Sequence, residues 1–151
     1  MTGVADGRRR RMKPPKGTAG YSGTPLAKKL GITAGCKVLC VDAPAGYRSL
    51  LEPIPDGVTF TSRAGAGVDL AHLFVTERAR LAKELASLRR KLRPETPVWV
   101  SWPKKASGVA TSVTEDVIRE VALPIGYVDV KVCAVSEVLS GLKVVVRKEL
   151  R

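Results

Sequence analysis

Short runs of apolar residues, each long enough for one strand, recur along the chain and alternate with segments of helical period. The longer runs are apolar at nearly every position, which is typical of strands buried on both faces of a parallel sheet. The pattern predicts strands over residues 37–42, 58–61, 68–75 and 97–102. Because single helices separate most of these strands, the order indicates parallel strand–helix–strand units with right-handed crossovers.

Helices are predicted where apolar residues recur at intervals of three and four. They span residues 25–30, 46–51, 77–91 and 114–123. The third helix carries one apolar stripe, formed by Leu81, Leu85, Leu88 and Leu92. Thr76 is predicted to cap the start of that helix, and Ser112 with Glu115 to form a capping box at the start of the fourth.

Two further strands, over residues 127–135 and 142–147, are predicted to run antiparallel to each other around a turn at Ser140-Gly141. An antiparallel strand at the end of an otherwise parallel sheet is common in mixed sheets. The chain is therefore predicted to belong to the α/β class, as a three-layer sandwich whose sheet is mostly parallel with an antiparallel C-terminal strand. We expect one such domain over residues 21–151.

The charge of the chain is strongly positive and unevenly distributed. The net charge is +12, and residues 1–20 hold six basic residues against one aspartate, without apolar periodicity. This segment is predicted to be a flexible basic arm, because it cannot bury enough apolar surface to fold. A nonspecific nucleic-acid interface is one function open to such a chain, with candidate residues Arg8, Arg9, Arg10, Arg11, Arg89, Arg90 and Arg93. No sequence signature of a base-reading module accompanies them.

Several classes of protein are excluded at this stage. No apolar run approaches the roughly 20 residues that span a bilayer, and no apolar segment follows the basic stretch as it would in a secretory signal. Three cysteines without paired spacing favour reduced thiols and a cytoplasmic location. The single histidine, His72, lies in a predicted strand, so we expect it to pack in the core. No metal site is expected, and since nothing in the sequence brings a serine beside His72, no Ser–His–Asp set is expected either.

The candidate ligand site lies where predicted strands end and helices begin. In open α/β sheets, ligands bind at the carboxyl ends of the strands, near helix N-termini. A small polar or anionic ligand is predicted there, held by residues of the 101–114 segment and of the loop after the first strand. The candidates are Asp42, Tyr47, Ser101, Trp102, Lys104, Lys105, Ser107, Thr111 and Thr114. The alternatives are an ordinary capped loop within residues 101–116 and a solvated turn after Asp42.

Particular segments also resemble known families. "CKVLCVDAPAGY", "VDLAHLFV", "PETPVWVSWP", "YVDVKVCAV" and "GLKVVVRKE" are similar, in that order, to strands one, four, five and the terminal antiparallel pair of a shortened Rossmann-like methyltransferase fold. "GYSGTPLAKKLGI", "SGLKVV" and the stretch 99–135 resemble a bacterial family, common in actinobacteria, known as a domain of unknown function. The first resemblance implies a Rossmann-like topology; the second implies no activity.

The methyltransferase resemblance departs from its pattern at two positions that matter for a cofactor. A dinucleotide or adenosylmethionine site needs several glycines after the first strand, where this chain reads Asp42-Ala-Pro-Ala-Gly-Tyr47. The second strand ends in Thr61-Ser62-Arg63, without the carboxylate that would hold ribose hydroxyls. We therefore expect no bound cofactor and favour a non-catalytic ligand-binding domain. A divergent methyltransferase and an electrostatic nucleic-acid binder remain as alternatives.

Overall fold

Six strands form one sheet in the computed structural model, which describes residues 23–151. The strands are β1 Lys37–Val41, β2 Thr59–Thr61, β3 Leu70–Phe74, β4 Val98–Pro103, β5 Tyr127–Ala134 and β6 Leu139–Val146. They are ordered β2-β1-β3-β4-β6-β5 across the sheet. The first four are parallel, whereas β6 is antiparallel to both β4 and β5. The predicted α/β class and mixed sheet are confirmed.

Helices cover both faces of this sheet, because alternate residues of the buried strands point to opposite sides. The four α-helices of the described residues are α1 Leu26–Leu30, α2 Tyr47–Leu51, α3 Arg78–Lys91 and α4 Glu115–Ala122. The helices α3 and α4 pack on one face, and the predicted leucine stripe of α3 is buried there. The helices α1 and α2 pack on the other face, where Trp99 Nε1 donates a hydrogen bond to the Leu30 carbonyl at 2.8 Å.

The connection between the last two strands differs from the prediction. Ser140 and Gly141 lie inside β6, paired with Ala134 and Cys133 of β5. The turn lies earlier, where Ser136 Oγ accepts hydrogen bonds from the backbone N–H groups of residues 138 and 139. A serine whose hydroxyl accepts hydrogen bonds from the backbone N–H groups that follow it commonly stabilises a turn. Ser136 therefore places the turn before Gly141.

Two predicted helix caps are also wrong, because Ser112 caps a different helix. Its hydroxyl accepts a hydrogen bond from the backbone N–H of Arg78 at 2.8 Å, at the start of α3. Thr76 instead contributes only its carbonyl, which accepts from the Ser112 backbone N–H at 2.9 Å. With the Ser112 hydroxyl so engaged, α4 is capped by Thr114, whose Oγ1 accepts from the Val117 N–H at 3.1 Å.

Candidate functional site

A crevice opens at the carboxyl ends of β1, β3 and β4, the edge at which open α/β sheets bind ligands. It encloses a cavity of about 400 Å³. Its walls mix apolar side chains with charged and hydroxyl groups from the loops that follow these strands. The lining residues are Asp42, Pro44, Phe74, Val75, Thr76, Glu77, Arg80, Ser101, Pro103 and Leu139.

Asp42 occupies an unusual backbone conformation at the end of β1. Its φ is 59°, and no other non-glycine residue within 23–151 has a positive φ. Aspartate and asparagine tolerate this left-handed region better than most side chains do. The conformation turns the chain sharply out of the sheet and brings the carboxylate to Arg80 of α3, whose Nη2 donates to Asp42 Oδ2 at 2.8 Å.

The charges around the crevice are mainly negative, although the whole chain is strongly basic. Among residues 23–151, Arg80 is the one basic residue of the lining, and its guanidinium also donates to Glu84 Oε2 at 3.0 Å. Its positive charge is therefore shared between two carboxylates. Glu77, which also lines the crevice, adds a third. A positively charged ligand group is favoured here over an anion.

A second cavity of about 570 Å³ adjoins the first on the β2 side of the loop after β1. Pro44 lines both cavities, so this loop divides them. In the second cavity the Arg48 guanidinium lies 4.5 Å from the centre of the Phe60 ring, a cation–π contact. Thr61 and Ser62 at the end of β2 supply hydroxyl groups. The side chain of Glu or Asp that holds ribose hydroxyls in this fold has no counterpart among the residues lining this cavity.

A buried hydrogen-bonded chain of three side chains runs under the first crevice. Tyr47 Oη lies 2.8 Å from His72 Nδ1, and His72 Nε2 lies 2.7 Å from Ser101 Oγ. The His72 ring stacks on Phe74 with centroids 4.2 Å apart, and the Tyr47 ring meets both edge-on. All three hydrogen-bonding residues are buried. We refer to Tyr47, His72 and Ser101 as the buried relay.

Burial keeps the two titratable members of the buried relay uncharged. It lowers the pKa of His72 to about 3, because the imidazolium form would lose its hydration. It raises the pKa of Tyr47 well above the usual value for a phenol, and the nearby Cys40 raises it further. The expectation of a packed core histidine is confirmed. Although nothing in the sequence places a serine beside His72, the pairing of β3 with β4 brings Ser101 opposite Phe74, and Ser101 Oγ lies within hydrogen-bond distance of His72 Nε2.

The predicted ligand residues are distributed over several places. Asp42 and Ser101 line the first cavity, and Tyr47 lines the second. Trp102 is buried on the opposite face of the sheet, in the core under α3 and α4. Lys104 and Lys105 line neither of these two cavities.

The hydroxyl groups of the 101–114 loop mainly hold the loop itself together. Ser107 Oγ donates to the Lys104 carbonyl at 2.7 Å, and Thr111 Oγ1 donates to the Thr76 carbonyl at 2.6 Å. Thr114 caps α4, as described above. These contacts are those of an ordered loop with capped helices, the alternative that the sequence left open.

The basic cluster at the end of α3 is partly engaged within the protein. Arg89 Nε donates to the Ile125 carbonyl at 3.1 Å, and Arg93 Nη2 donates to the Val68 carbonyl at 3.0 Å. Arg90 Nη1 donates to the Ala86 carbonyl of its own helix at 3.2 Å. The other predicted nucleic-acid residues, Arg8 to Arg11, lie outside the described residues.

Neither metal ligation nor thiol chemistry is indicated over the described residues. Among residues 23–151, no group of three or more His, Cys, Asp or Glu side chains could hold a metal ion. The three cysteines are free thiols, and burial raises the pKa of each, that of Cys40 to about 11. A thiol with a raised pKa is a poor nucleophile at neutral pH. No helix in this part of the chain is long and apolar enough to cross a membrane.

Comparison with known proteins relates the chain to one kind of fold. No protein-family model matches it, and no curated protein matches its sequence. A solved structure assigned as a type 11 methyltransferase from Sulfolobus solfataricus superposes with a TM-score of 0.57 at 12% identity, covering 82% of this chain and 90% of its own. An adenosylmethionine-dependent methyltransferase from Aquifex aeolicus superposes with a TM-score of 0.54 at 14% identity, covering 80% of this chain and 87% of its own.

A third structure has the same fold at a similar distance. The fibrillarin pre-rRNA processing protein of Methanococcus jannaschii gives a TM-score of 0.53 at 10% identity, covering 80% of this chain and 73% of its own. At such low identity these likenesses establish the fold alone. The Rossmann-like topology expected from the order of the segments is confirmed, and the relationship to the bacterial family of unknown function stays a prediction.

Proposed function

We propose that this chain binds a small polar ligand carrying a positively charged group, in the crevice at the carboxyl ends of β1, β3 and β4. One observation carries the proposal: polar and charged groups converge on a largely apolar cavity at the edge where this class of sheet takes its ligands. The cavity's volume, about 400 Å³, suits a metabolite rather than a macromolecule.

The charge of the ligand follows from the groups that face it. The acidic residues Asp42 and Glu77 line the crevice, and Arg80 is already bonded to Asp42 and Glu84. An ammonium, guanidinium or sulfonium group would therefore meet net negative charge. A phosphate would meet repulsion that one shared guanidinium does not offset. The two lysines that favoured an anion from the sequence stand outside the lining of the crevice.

A divergent methyltransferase is the second candidate, because the solved structures of similar fold described above include methyltransferases. The loop after β1 does not fit the usual way of holding adenosylmethionine. Pro44 stands between the two cavities, and β2 ends in Thr61 and Ser62 where a carboxylate would hold the ribose. A methyltransferase with this chain would need other contacts for the cofactor, and no step of methyl transfer follows from the residues present.

A thermal-shift screen tests the proposal. We expect the melting temperature to rise with at least one amine-bearing metabolite, since a ligand that binds only the native state stabilises it. The set should include adenosylmethionine, adenosylhomocysteine, basic amino acids and polyamines, with sugar phosphates and nucleoside triphosphates as the anionic comparison. A response confined to the anions would contradict the charge argument. No response to any compound at millimolar concentration would contradict ligand binding itself.

A further inference from the structure

The two adjoining cavities are lined by charges of opposite sign. In the crevice, the acidic residues Asp42 and Glu77 outnumber Arg80. Among residues 23–151, the lining of the second cavity contains one basic residue, Arg48, and no aspartate or glutamate. The second cavity therefore attracts a negatively charged group, whereas the crevice attracts a positively charged one.

The other titratable residues of the second cavity do not change its charge at neutral pH. Burial raises the pKa of Cys40 to about 11 and raises the pKa of Tyr47 well above the usual value for a phenol, so both stay protonated and neutral. The positive charge of Arg48 opposes the rise at Cys40, which agrees with a guanidinium close to this wall of the cavity. Since arginine stays protonated in proteins, the lining keeps one positive charge.

The Arg48 side chain is held by an aromatic ring rather than by a carboxylate. Its guanidinium lies 4.5 Å from the centre of the Phe60 ring, and a ring face attracts a cation without offering an oxygen acceptor. Within residues 23–151 no carboxylate forms an ion pair with Arg48, whereas Arg80 has two such partners. The fork of N–H groups on Arg48 therefore suits both oxygens of an incoming carboxylate or phosphate.

Hydroxyl groups at the end of β2 add hydrogen-bond donors to the same cavity. Thr61 and Ser62 both line it, and Thr61 is half-buried whereas Ser62 is exposed, so a ligand can reach both residues. Thr61 Oγ1 accepts a hydrogen bond from the Arg63 backbone N–H at 3.1 Å, which leaves the hydroxyl's own hydrogen to be donated. Two hydroxyls beside a guanidinium form a set of donors that suits an oxyanion.

We infer that the second cavity binds an anionic group of the ligand through Arg48, Thr61 and Ser62, while the cationic group of the same molecule occupies the crevice. The inference rests on the proposed function and deepens it, because the ligand class becomes an amine joined to a phosphate, sulfonate or carboxylate. Pro44 is exposed and lines both cavities, so the apolar segment that joins the two charged groups lies against its ring.

Calorimetry with a series of ω-aminoalkyl phosphates, each compared with the alkylamine of the same chain length, tests the inference. At the chain length that spans Pro44, we expect the phosphate to bind about tenfold or more tightly than the amine, since hydrogen bonds between charged groups are among the stronger ones. Arg48→Gln should remove this gain, and Arg48→Lys should restore part of it. Because Arg48 is exposed, both variants should fold, which their melting temperatures will show.

Arg63→Gln is the matched control for the loss of one positive charge. Arg63 is exposed, follows Thr61 and Ser62 in the chain, and lines neither cavity. Its variant should therefore show the same gain as the wild type, to within about twofold. An equal loss of the gain in Arg63→Gln and Arg48→Gln would overturn the inference, because the general charge of the surface would then explain the result.

The remaining outcomes separate this inference from the proposed function. Equal affinity for amine and aminoalkyl phosphate, or a gain that survives in Arg48→Gln, would overturn the inference and leave the proposed function standing. A gain that needs Arg48 but is unaffected by Asp42→Asn with Glu77→Gln would contradict the proposed function and leave an anion site alone. If no member of either series binds at millimolar concentration, the inference is overturned, and the wider screen decides the proposed function.

Discussion

Acid should destabilise this protein through one buried group, His72, well above the pH at which carboxylates titrate. The ring is fully buried and its pKa in the native state is about 3, against about 6.5 in an unfolded chain. The unfolded state therefore takes up a proton first as the pH falls. The contribution of the neutral His72 ring to the free energy of unfolding is complete above pH 6.5. It declines as the pH falls below that value and is almost fully lost near pH 3.

The size of the effect follows from the two pKa values. Linkage gives a loss of about 2 kcal/mol of unfolding free energy between pH 7 and pH 5, and about 4 kcal/mol by pH 3. Urea unfolding at a series of pH values measures this loss. His72→Gln, which stays neutral throughout, supplies the control, because subtracting its curve removes the contribution of the carboxylates.

Two results would refute this reasoning about His72. One is a difference between wild type and His72→Gln that does not change from pH 7 to pH 5. The other is an imidazole that titrates near pH 6.5 in the folded protein, which the ¹⁵N signals of the single histidine would show even if the glutamine variant fails to fold. Its register partner on β1 is Cys40 and its hydrogen-bond partners are neutral hydroxyls, so no charged side chain holds the imidazolium form.

Other perturbations follow from packing and from charge. Gly141→Ala should destabilise by about 1–3 kcal/mol in urea unfolding, because its Cβ would lie 3.0 Å from Val135 Cγ2, whereas Gly65→Ala, with open space around it, should be near neutral. Leu85→Ala should cost about 2–5 kcal/mol by the same assay, since its side chain is fully buried. If the arm binds nucleic acid, duplex affinity should fall with salt at a slope of about −4 to −5, and deletion of residues 1–19 should remove most of that slope; no binding at low salt would dismiss that function.

The strands and helices could be predicted because each depends on residues close together in the sequence. The hydrophobic pattern within each element is enough to predict it, as in the apolar runs of β1, β3 and β4 and the leucine stripe of α3. The helix caps were harder to predict from the sequence, since Ser112 caps a helix that begins 34 residues earlier. Local sequence gave Ser112 a plausible role beside Glu115, and only the packing of the two loops assigns its hydroxyl to α3.

The crevice lies at the edge of the sheet where the sequence predicts a ligand, and its lining carries Asp42, Glu77 and Arg80 rather than the two lysines of the predicted segment. Lys104 and Lys105 are adjacent to the strand end in sequence, yet neither lines the crevice. Arg80 reaches Asp42 across 38 residues, and His72 reaches Ser101 across 29. The first pair depends on how α3 packs against the loop after β1, and the second on the register between β3 and β4. Neither arrangement is encoded in a single strand. The only local feature that pointed to a buried hydrogen-bonded group was the position of His72 in an otherwise apolar run.

The affinity of the strongest ligand from the screen, measured by calorimetry in two double variants, tests the crevice most directly. Asp42→Asn with Glu77→Gln removes both carboxylates of the lining, and asparagine tolerates the positive φ at residue 42. This variant should bind at least about tenfold more weakly than the wild type, because the loss of a contact to a charged group weakens binding by about that factor. Lys104→Ala with Lys105→Ala should bind within about twofold of the wild type, since neither lysine lines the crevice. The reverse pattern, with affinity lost only in the lysine variant, would contradict the account and move the site to the loop after β4.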